Sequence, residues 1–565
     1  MPRTSVAEAY LALLCRRGVE WLFANAGTDF APIIEALSRS DSSGLEMPCA
    51  VAVAHETVAV GMAHGYALAT GRPQAVMLHV DVGVANGLVG LMNASRANVP
   101  MLFTSGRTPY TEAGLAGSRD LPIHWGQEMS DQTGLVREHV KWAFELARPE
   151  QLESAVERAL AIATSPPQGP VYLSLPRETL AATWPGAESE APEAVAASGA
   201  YPDPASIAAT ADLVAAAERP LVVSASCARA DRPSLGAFAE RFGLPVVEFW
   251  SGCQALSTEH PMHAGFDPGP RIAEADLVLA LDVPVPWIPL RHQIPEACPV
   301  VHIGPDPTFS HLPLRGHRSS MAITSEVEPA LGLLGEVLEG RSDFDGASRR
   351  RASERVSKRN EAERQERRER ARQVPEDGIA TRAWSSSVLD EVLGGEAWIF
   401  NELGCAADVM HLPEPGSLFG ISIAGGLGWG VPAALGAQLA DRDRLVVATV
   451  GDGSYVFANP VACHQTAQTL ELPVLIVVFN NSGWEAVRGA TLGLYPEGAA
   501  AAESRMPLST LEPAPRFDKV VEASGGYGER VVEPGELEPA LKRALAVVRD
   551  QRRQALVDVR IRFGR

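Results

Sequence analysis

At 565 residues the chain exceeds what one hydrophobic core sustains, so three domains of roughly 130–190 residues each are expected. Hydrophobic residues make up 46% and charged residues 21%, an ordinary globular balance, while the net charge of −20 argues against a nucleic acid or an anionic membrane as a general partner. The seven cysteines show no CxxC pairing or ligand spacing, so neither a zinc site nor a disulfide framework is read, and the expected compartment is the reducing cytoplasm.

The opening stretch MPRTSVAEAYLALLCRRGVEWLF has an apolar stripe, but Glu8, Arg16, Arg17 and Glu20 interrupt it too often for a signal peptide or membrane span. From about Val6, helical patterns alternate with the short apolar runs WLFANAG, CAVAVAHE, AVMLHV, PMLFTSG and VYLSLP. That alternation predicts a parallel sheet covered by helices over residues 1–182. Residues 181–202, rich in Ala, Glu and Pro without an apolar period, read as a linker. A second unit over 200–338 has PLVVSAS, PVVEFW, ADLVLALD and PVVHIG as its strands. Within 341–374, the run RRRASERVSKRNEAERQERRERAR interleaves acids with arginines at helical spacing, which predicts a solvated helical linker rather than a nucleic-acid arm. The third unit, 375–565, closes with a helix over 535–550 and the short strand ALVDVRI. The expected fold class is α/β, with three doubly wound parallel-sheet domains. No internal repeat is visible, although the first and third domains are candidates to share a fold.

The most informative stretch is LVVATVGDGSYVFANPVACHQTAQTLELPVLIVVFNNSGW, residues 445–484. One apolar run stops at Gly451-Asp452-Gly453, a second at Asn480-Asn481, and a stretch of helix length lies between. A right-handed crossover returns the second strand parallel to the first, so Asp452 and Asn481 are expected at the same sheet edge, where open α/β sheets bind ligands. A carboxylate, an amide oxygen and the Gly483 carbonyl form a hard oxygen set that suits Mg²⁺ completed by phosphate. Gly451 and Gly453 let main-chain amides, with Ser454, approach that phosphate. Either tetrapeptide alone recurs by chance as a turn or loop; the linked pair is the stronger signal. GDG followed by NN resembles the thiamine-diphosphate motif of the acetolactate synthase, benzoylformate decarboxylase and pyruvate decarboxylase superfamily.

Two further stretches carry the resemblance, which spans essentially the whole chain. In CAVAVAHETVAVGMAHGYALATG, residues 49–71, a strand runs into His55-Glu56 and a helix. By itself Glu56 is also a favourable helix start. Followed by Gly61-Met62-Ala63-His64-Gly65-Tyr66-Ala67, it is similar to the family's Glu that hydrogen-bonds the cofactor's aminopyrimidine and starts catalysis. In SIAGGLGWGVPAALGAQLA, residues 422–440, the glycines also suit plain close packing. Against the family, Leu427 matches the bulky residue under the cofactor's bend and Gly425 the carbonyl that receives its amino group, in a pattern most like benzoylformate decarboxylase. Asn401-Glu402-Leu403-Gly404-Cys405 occupies the diphosphate-binding position; Gly404 and Cys405 stand where hydroxyl residues are often found, so main-chain amides would supply those contacts.

The resemblance implies a pyrimidine-binding domain, a central domain and a pyrophosphate-binding domain, with thiamine diphosphate and Mg²⁺ as cofactors. A flavin in the central domain, as in some acetolactate synthases, finds no dinucleotide fingerprint: GPDP at 304–307 lacks the GxGxxG spacing. The implied reaction is decarboxylation of a 2-oxo acid to an enamine, followed by ligation to an aldehyde or 2-oxo acid acceptor. The alternatives are protonation to an aldehyde, or a cofactor-binding homologue without turnover. Thr28 and His79 match substrate-facing polar positions of benzoylformate decarboxylase-like enzymes, and a hydrogen-bonded core histidine is the competing reading of His79. Gln127-Glu128 resembles the acetolactate synthase loop that borders the partner subunit's site. Asp81 departs from the small residue usual at its position, and Trp484 either walls the pocket or packs. Family architecture further implies a homodimer as the minimal active unit, in a homotetramer, with Glu56 and Asp452 of one site coming from different subunits.

Overall fold

A computed structural model describes residues 4–186, 195–226, 231–375, 378–503 and 505–563. Part of the expected 181–202 linker lies outside the described residues. The first sheet comprises β1 (Trp21–Ala24), β2 (Cys49–Ala52), β3 (Ala75–Leu78), β4 (Met101–Arg107), β5 (Ala143–Glu145) and β6 (Pro170–Pro176), in the order β2-β1-β3-β4-β6-β5. The second comprises β7 (Pro220–Ser224), β8 (Val246–Glu248), β9 (Leu277–Leu281), β10 (Val300–Gly304) and β11 (Met321–Thr324), in the order β11-β10-β9-β7-β8. The third comprises β12 (Trp398–Glu402), β13 (Leu418–Gly420), β14 (Val446–Gly451), β15 (Leu475–Asn480), β16 (Tyr527–Val531) and β17 (Ala555–Arg560), in the order β13-β12-β14-β15-β17-β16. The pairings are parallel throughout. The fold is thus three parallel-sheet α/β domains, and the first and third sheets have the same strand order.

That order sets where ligands can bind. In both six-stranded sheets the connections leave in opposite directions from the pair formed by the first and third strands, which opens a crevice at their carboxyl ends. The crevice lies between β1 and β3 in the first domain, and between β12 and β14 in the third. β4, β6, β14 and β15 are almost wholly buried, which is why they read as continuous apolar runs.

The first and third domains share one core. Phe23, Val60 and Phe103 cluster with Ala433, Leu435 and Val446. Its seam is the crossing of helix Glu56–Thr70 with helix Gly430–Ala440. A Cβ at Gly65 would overlap the Ala433 carbonyl, and one at Gly436 would overlap the Met62 carbonyl. These glycines therefore let two helices meet backbone to backbone, the close packing that larger side chains would prevent.

The arginine-rich run is the helix Gly346–Ala371, laid against the central domain. Arg271 donates to Asn360 and Glu363, and Arg368 donates to Glu259 and the Met410 carbonyl. Its cations are thus partly engaged in structural ion pairs. Among the described residues no helix is long and apolar enough to cross a membrane.

Candidate active site

At the first domain's crevice, the turn after β1 and the turn after β3 meet. His79 leaves β3 and caps the helix Val80–Arg96, and its Nδ1 lies 2.5 Å from Asp29 Oδ1. Asp29 Oδ2 accepts the Val80 amide at 3.3 Å. Val80 is buried with φ of 33°, a strained value for a β-branched residue, so Asp29 fastens both the imidazole and the bent main chain behind it. The ring also closes over Gly27, where a Cβ would overlap it. Gln127 brings its amide 3.3 Å from His79 Nε2.

His124 completes the cluster. Its Nδ1 accepts the Asp120 and Leu121 amides at 3.2 and 3.4 Å, which places the ring proton on Nε2, 3.4 Å from Thr28 Oγ1. Thr28 thus accepts from His124 and keeps its own O–H to donate. The two histidines differ in charge tendency. Burial pulls His79 down, but the Asp29 hydrogen bond and the Asp29, Asp81 and Glu56 charges together raise it above the ordinary value. Burial and the nearby Arg177 lower His124.

Glu56 is the first residue of its helix, 8% exposed, and accepts from Asn86 at 3.2 Å. Glu56, Thr28, His79 and Gln127 accordingly share one sheet edge. Asp81 accepts its neighbour Val82's amide in the first helical turn.

The third domain's edge carries different chemistry. β14 ends at Gly451 beside Phe479 of β15, which brings Asp452 next to Asn480 and Asn481. The Gly483 amide donates to Asp452 Oδ2 at 2.9 Å and to Asn481 Oδ1 at 3.1 Å, so both oxygens converge on one nitrogen. Burial raises the Asp452 carboxyl to about 6. Asn480 shapes the turn: it donates to the buried Asp558 and accepts from Ser482. Trp484 packs across Gly453, whose Cβ would overlap the indole, so this glycine makes room for the indole ring.

The loop Ser422–Trp429 links the third domain to the helix Val80–Arg96 of the first. Gly425, at φ of 65°, borders open space where a side chain would project. Leu427 packs on the shared core. Asn93 holds the Gly426 carbonyl at 2.7 Å and the Gly426 amide at 3.1 Å, and Glu402 accepts the Gly428 and Gly430 amides at 2.7 and 2.6 Å.

The chain matches the N-terminal TPP binding domain of thiamine pyrophosphate enzymes over residues 4–135, their central domain over 207–331 and their C-terminal TPP binding domain over 402–559. The chain belongs to this family. It is 26% identical to the acetolactate synthase large subunit of Haemophilus influenzae, covering 97% of this chain and 93% of that one. It is 27% identical to benzoylformate decarboxylase of Pseudomonas aeruginosa, covering 96% and 97%. Benzoylformate decarboxylase from Polynucleobacter necessarius shares the fold, with a TM-score of 0.78 at 23% identity over 99% of each chain.

Several site residues of this thiamine pyrophosphate enzyme have local partners that the sequence did not announce. The Gly404 amide is donated to Asn401 Oδ1, and the Cys405 thiol is buried beneath the Thr449 hydroxyl. The short turn folds the Gly404 amide onto its own strand. Ser454 reaches the Glu402 carboxylate. Asp29, Asn93, His124 and Glu402 make these contacts, and sequence reading assigned them no role. The local signals were an acid two residues after Gly27 and a carboxylate at the end of β12.

Proposed function

We propose that this chain is a thiamine-diphosphate- and Mg²⁺-dependent enzyme. It breaks the C–C bond beside the 2-oxo group of a 2-oxo acid and joins the fragment to a carbonyl acceptor, as an acetolactate synthase does. The observation that carries the reading is the convergence of Asp452 and Asn481 on the Gly483 amide at a sheet edge. The donor set fits the metal chemically. It joins a carboxylate raised to about 6 by burial to an amide oxygen, and a hard divalent cation offsets the cost of burying that charge. Asp452, Asn481 and the Gly483 carbonyl would hold Mg²⁺, with Gly425 and Leu427 beside the cofactor. When bound, thiamine diphosphate supplies the electron sink for the bond that breaks.

The remaining chemistry belongs to the chain's own residues. Glu56 holds a proton for the cofactor's pyrimidine ring, His79 orients the substrate's oxygen, Thr28 donates its hydroxyl and Gln127 borders the substrate. The homodimer is supported by exposed apolar side chains flanking both edges: Val82, Val89 and Trp125 beside the first, and Phe457, Val461 and Leu494 beside the third. A second copy that sets one protomer's first edge against its partner's third would cover them.

A second reading, simple decarboxylation to an aldehyde, is favoured by His79, whose raised pKa suits a proton donor. Incubation with pyruvate or benzoylformate, with and without an aldehyde acceptor, separates the two. A hydroxyketone product supports ligation, an aldehyde alone supports decarboxylation, and no uptake of thiamine diphosphate with Mg²⁺ in equilibrium dialysis overturns both.

A further inference from the structure

The first domain's crevice holds an unspent hydrogen-bonding group. Gln127 Oε1 is buried and accepts no hydrogen bond, while its amide nitrogen faces His79 Nε2 at 3.3 Å. Two nitrogens face each other there while an acceptor lies idle in the same side chain. With the amide nitrogen toward it, Nε2 accepts and carries no proton; with the amide turned over, Oε1 faces Nε2 and accepts from a proton held there. His79 Nδ1 already faces the Asp29 carboxylate at 2.5 Å. In the turned form an acceptor stands on each side of the imidazole, the arrangement that suits protons on both nitrogens.

We propose that Asp29 is a positioning residue that keeps His79 as an imidazolium, whose Nε2–H rests on Gln127 Oε1 and turns to the carboxylate or carbonyl oxygen of an incoming 2-oxo acid. The inference rests on the function proposed above and goes beyond it by assigning the charge state of His79 and the residue that sets it. Three features beyond the hydrogen bond support this role for Asp29. It is 3% exposed, its second oxygen holds the strained Val80 amide, and Gly106 lacks the Cβ that would displace its carboxylate. Moving Asp29 therefore releases both the ring and the turn beneath it.

The charged groups around His79 act in the same sense. Asp29 comes from the turn after β1, Asp81 from the helix that His79 caps, and Glu56 from the neighbouring helix start, and all three raise its affinity for a proton. His124, on the segment before Gln127, is itself lowered, with Arg177 and Arg119 opposing its protonation and Asp120 favouring it. An imidazolium with a neutral histidine nearby suits an anionic substrate, because the positive charge counters the substrate's carboxylate despite the surrounding acids.

The test follows the His79 Cε1–H resonance in the full chain labelled with [¹³Cε1]-histidine, with one of the thirteen histidine signals assigned by its loss in His79→Gln. The wild-type midpoint is expected above the ordinary histidine value, and a midpoint at or below it overturns the proposal. Asp29→Asn, which keeps an oxygen for Val80, is expected to lower the midpoint by about one to three pH units, and Asp29→Glu to recover part of that. A folded Asp29→Asn chain with an unmoved midpoint also overturns it. Should Asp29→Asn not fold, Gln127→Glu places a carboxylate on the other nitrogen and is expected to raise the midpoint; no rise counts against the Gln127 half. In turnover, kcat/KM falls as pH rises through the His79 midpoint, and Asp29→Asn moves that fall to lower pH with KM raised more than kcat is lowered. A chain that turns over no 2-oxo acid would defeat the proposed function, while the resonance would still decide the state of His79.

Discussion

The first and third domains share one strand order and open their crevices at equivalent places, yet the side chains set there differ in kind. At the first, Glu56, His79 and Asp29 are titratable groups. At the third, Asp452 and Asn481 offer oxygens held toward one amide, with no histidine among their hydrogen-bond partners in the described residues. Topology sets where a crevice opens, and under the proposed function the few residues at the strand exits make one edge react and the other anchor.

The sharpest way to break that comparison is to remove one group from each edge. Asp452→Ala should weaken Mg²⁺-dependent thiamine diphosphate uptake by more than about 100-fold in calorimetry, because a ligand matters at least as much as its supporting shell. Glu56→Gln should leave uptake within a few-fold of the unmodified chain while cutting turnover by about 10²–10⁴. Equal losses of uptake in both variants would dissolve the division of labour.

The seam between the domains is tested next. Gly65→Ala forces its helix away from the Ala433 carbonyl and should cost about 1–3 kcal/mol in urea unfolding. Asn93→Ala leaves both polar groups of Gly426 without that side chain and should cost about 1–3 kcal/mol, with looser cofactor binding.

The smallest effect concerns pH. Burial raises the Glu402 carboxyl from 4.5 to about 7, although the Gly430 and Gly428 amides pull it back. A raised carboxyl stabilises the fold in its protonated form, so this contribution is complete below 4.5 and is lost as pH rises through about 7. Glu402→Gln should flatten the change of melting temperature across that window in differential scanning fluorimetry.

Much of the fold was legible because buried parallel strands are uninterrupted apolar runs, and β1, β3, β4, β14 and β15 stand out for that reason. β5 and β13, three residues each, were not read, whereas β8, equally short, lies within the longer run PVVEFW. The strand ALVDVRI reads as a terminal piece, yet β17 sits inside the sheet between β15 and β16. In the candidate site, Asp452 and Asn481 were legible because one strand–helix–strand unit places them, so their proximity follows from local geometry. Asn93 was not, because its partner Gly426 lies 333 positions away.

The sequence by itself determined the three α/β units and the residues at their strand exits, because hydrophobic period and turn chemistry are local properties. Only the tertiary structure decided that Asp29 grips His79, that Gly65 and Gly436 let two helices touch, and that Glu402 ties down the glycine loop. Those contacts join segments whose approach is set by the packing of whole sheets and helices, and no local pattern records which distant atom will satisfy a buried polar group.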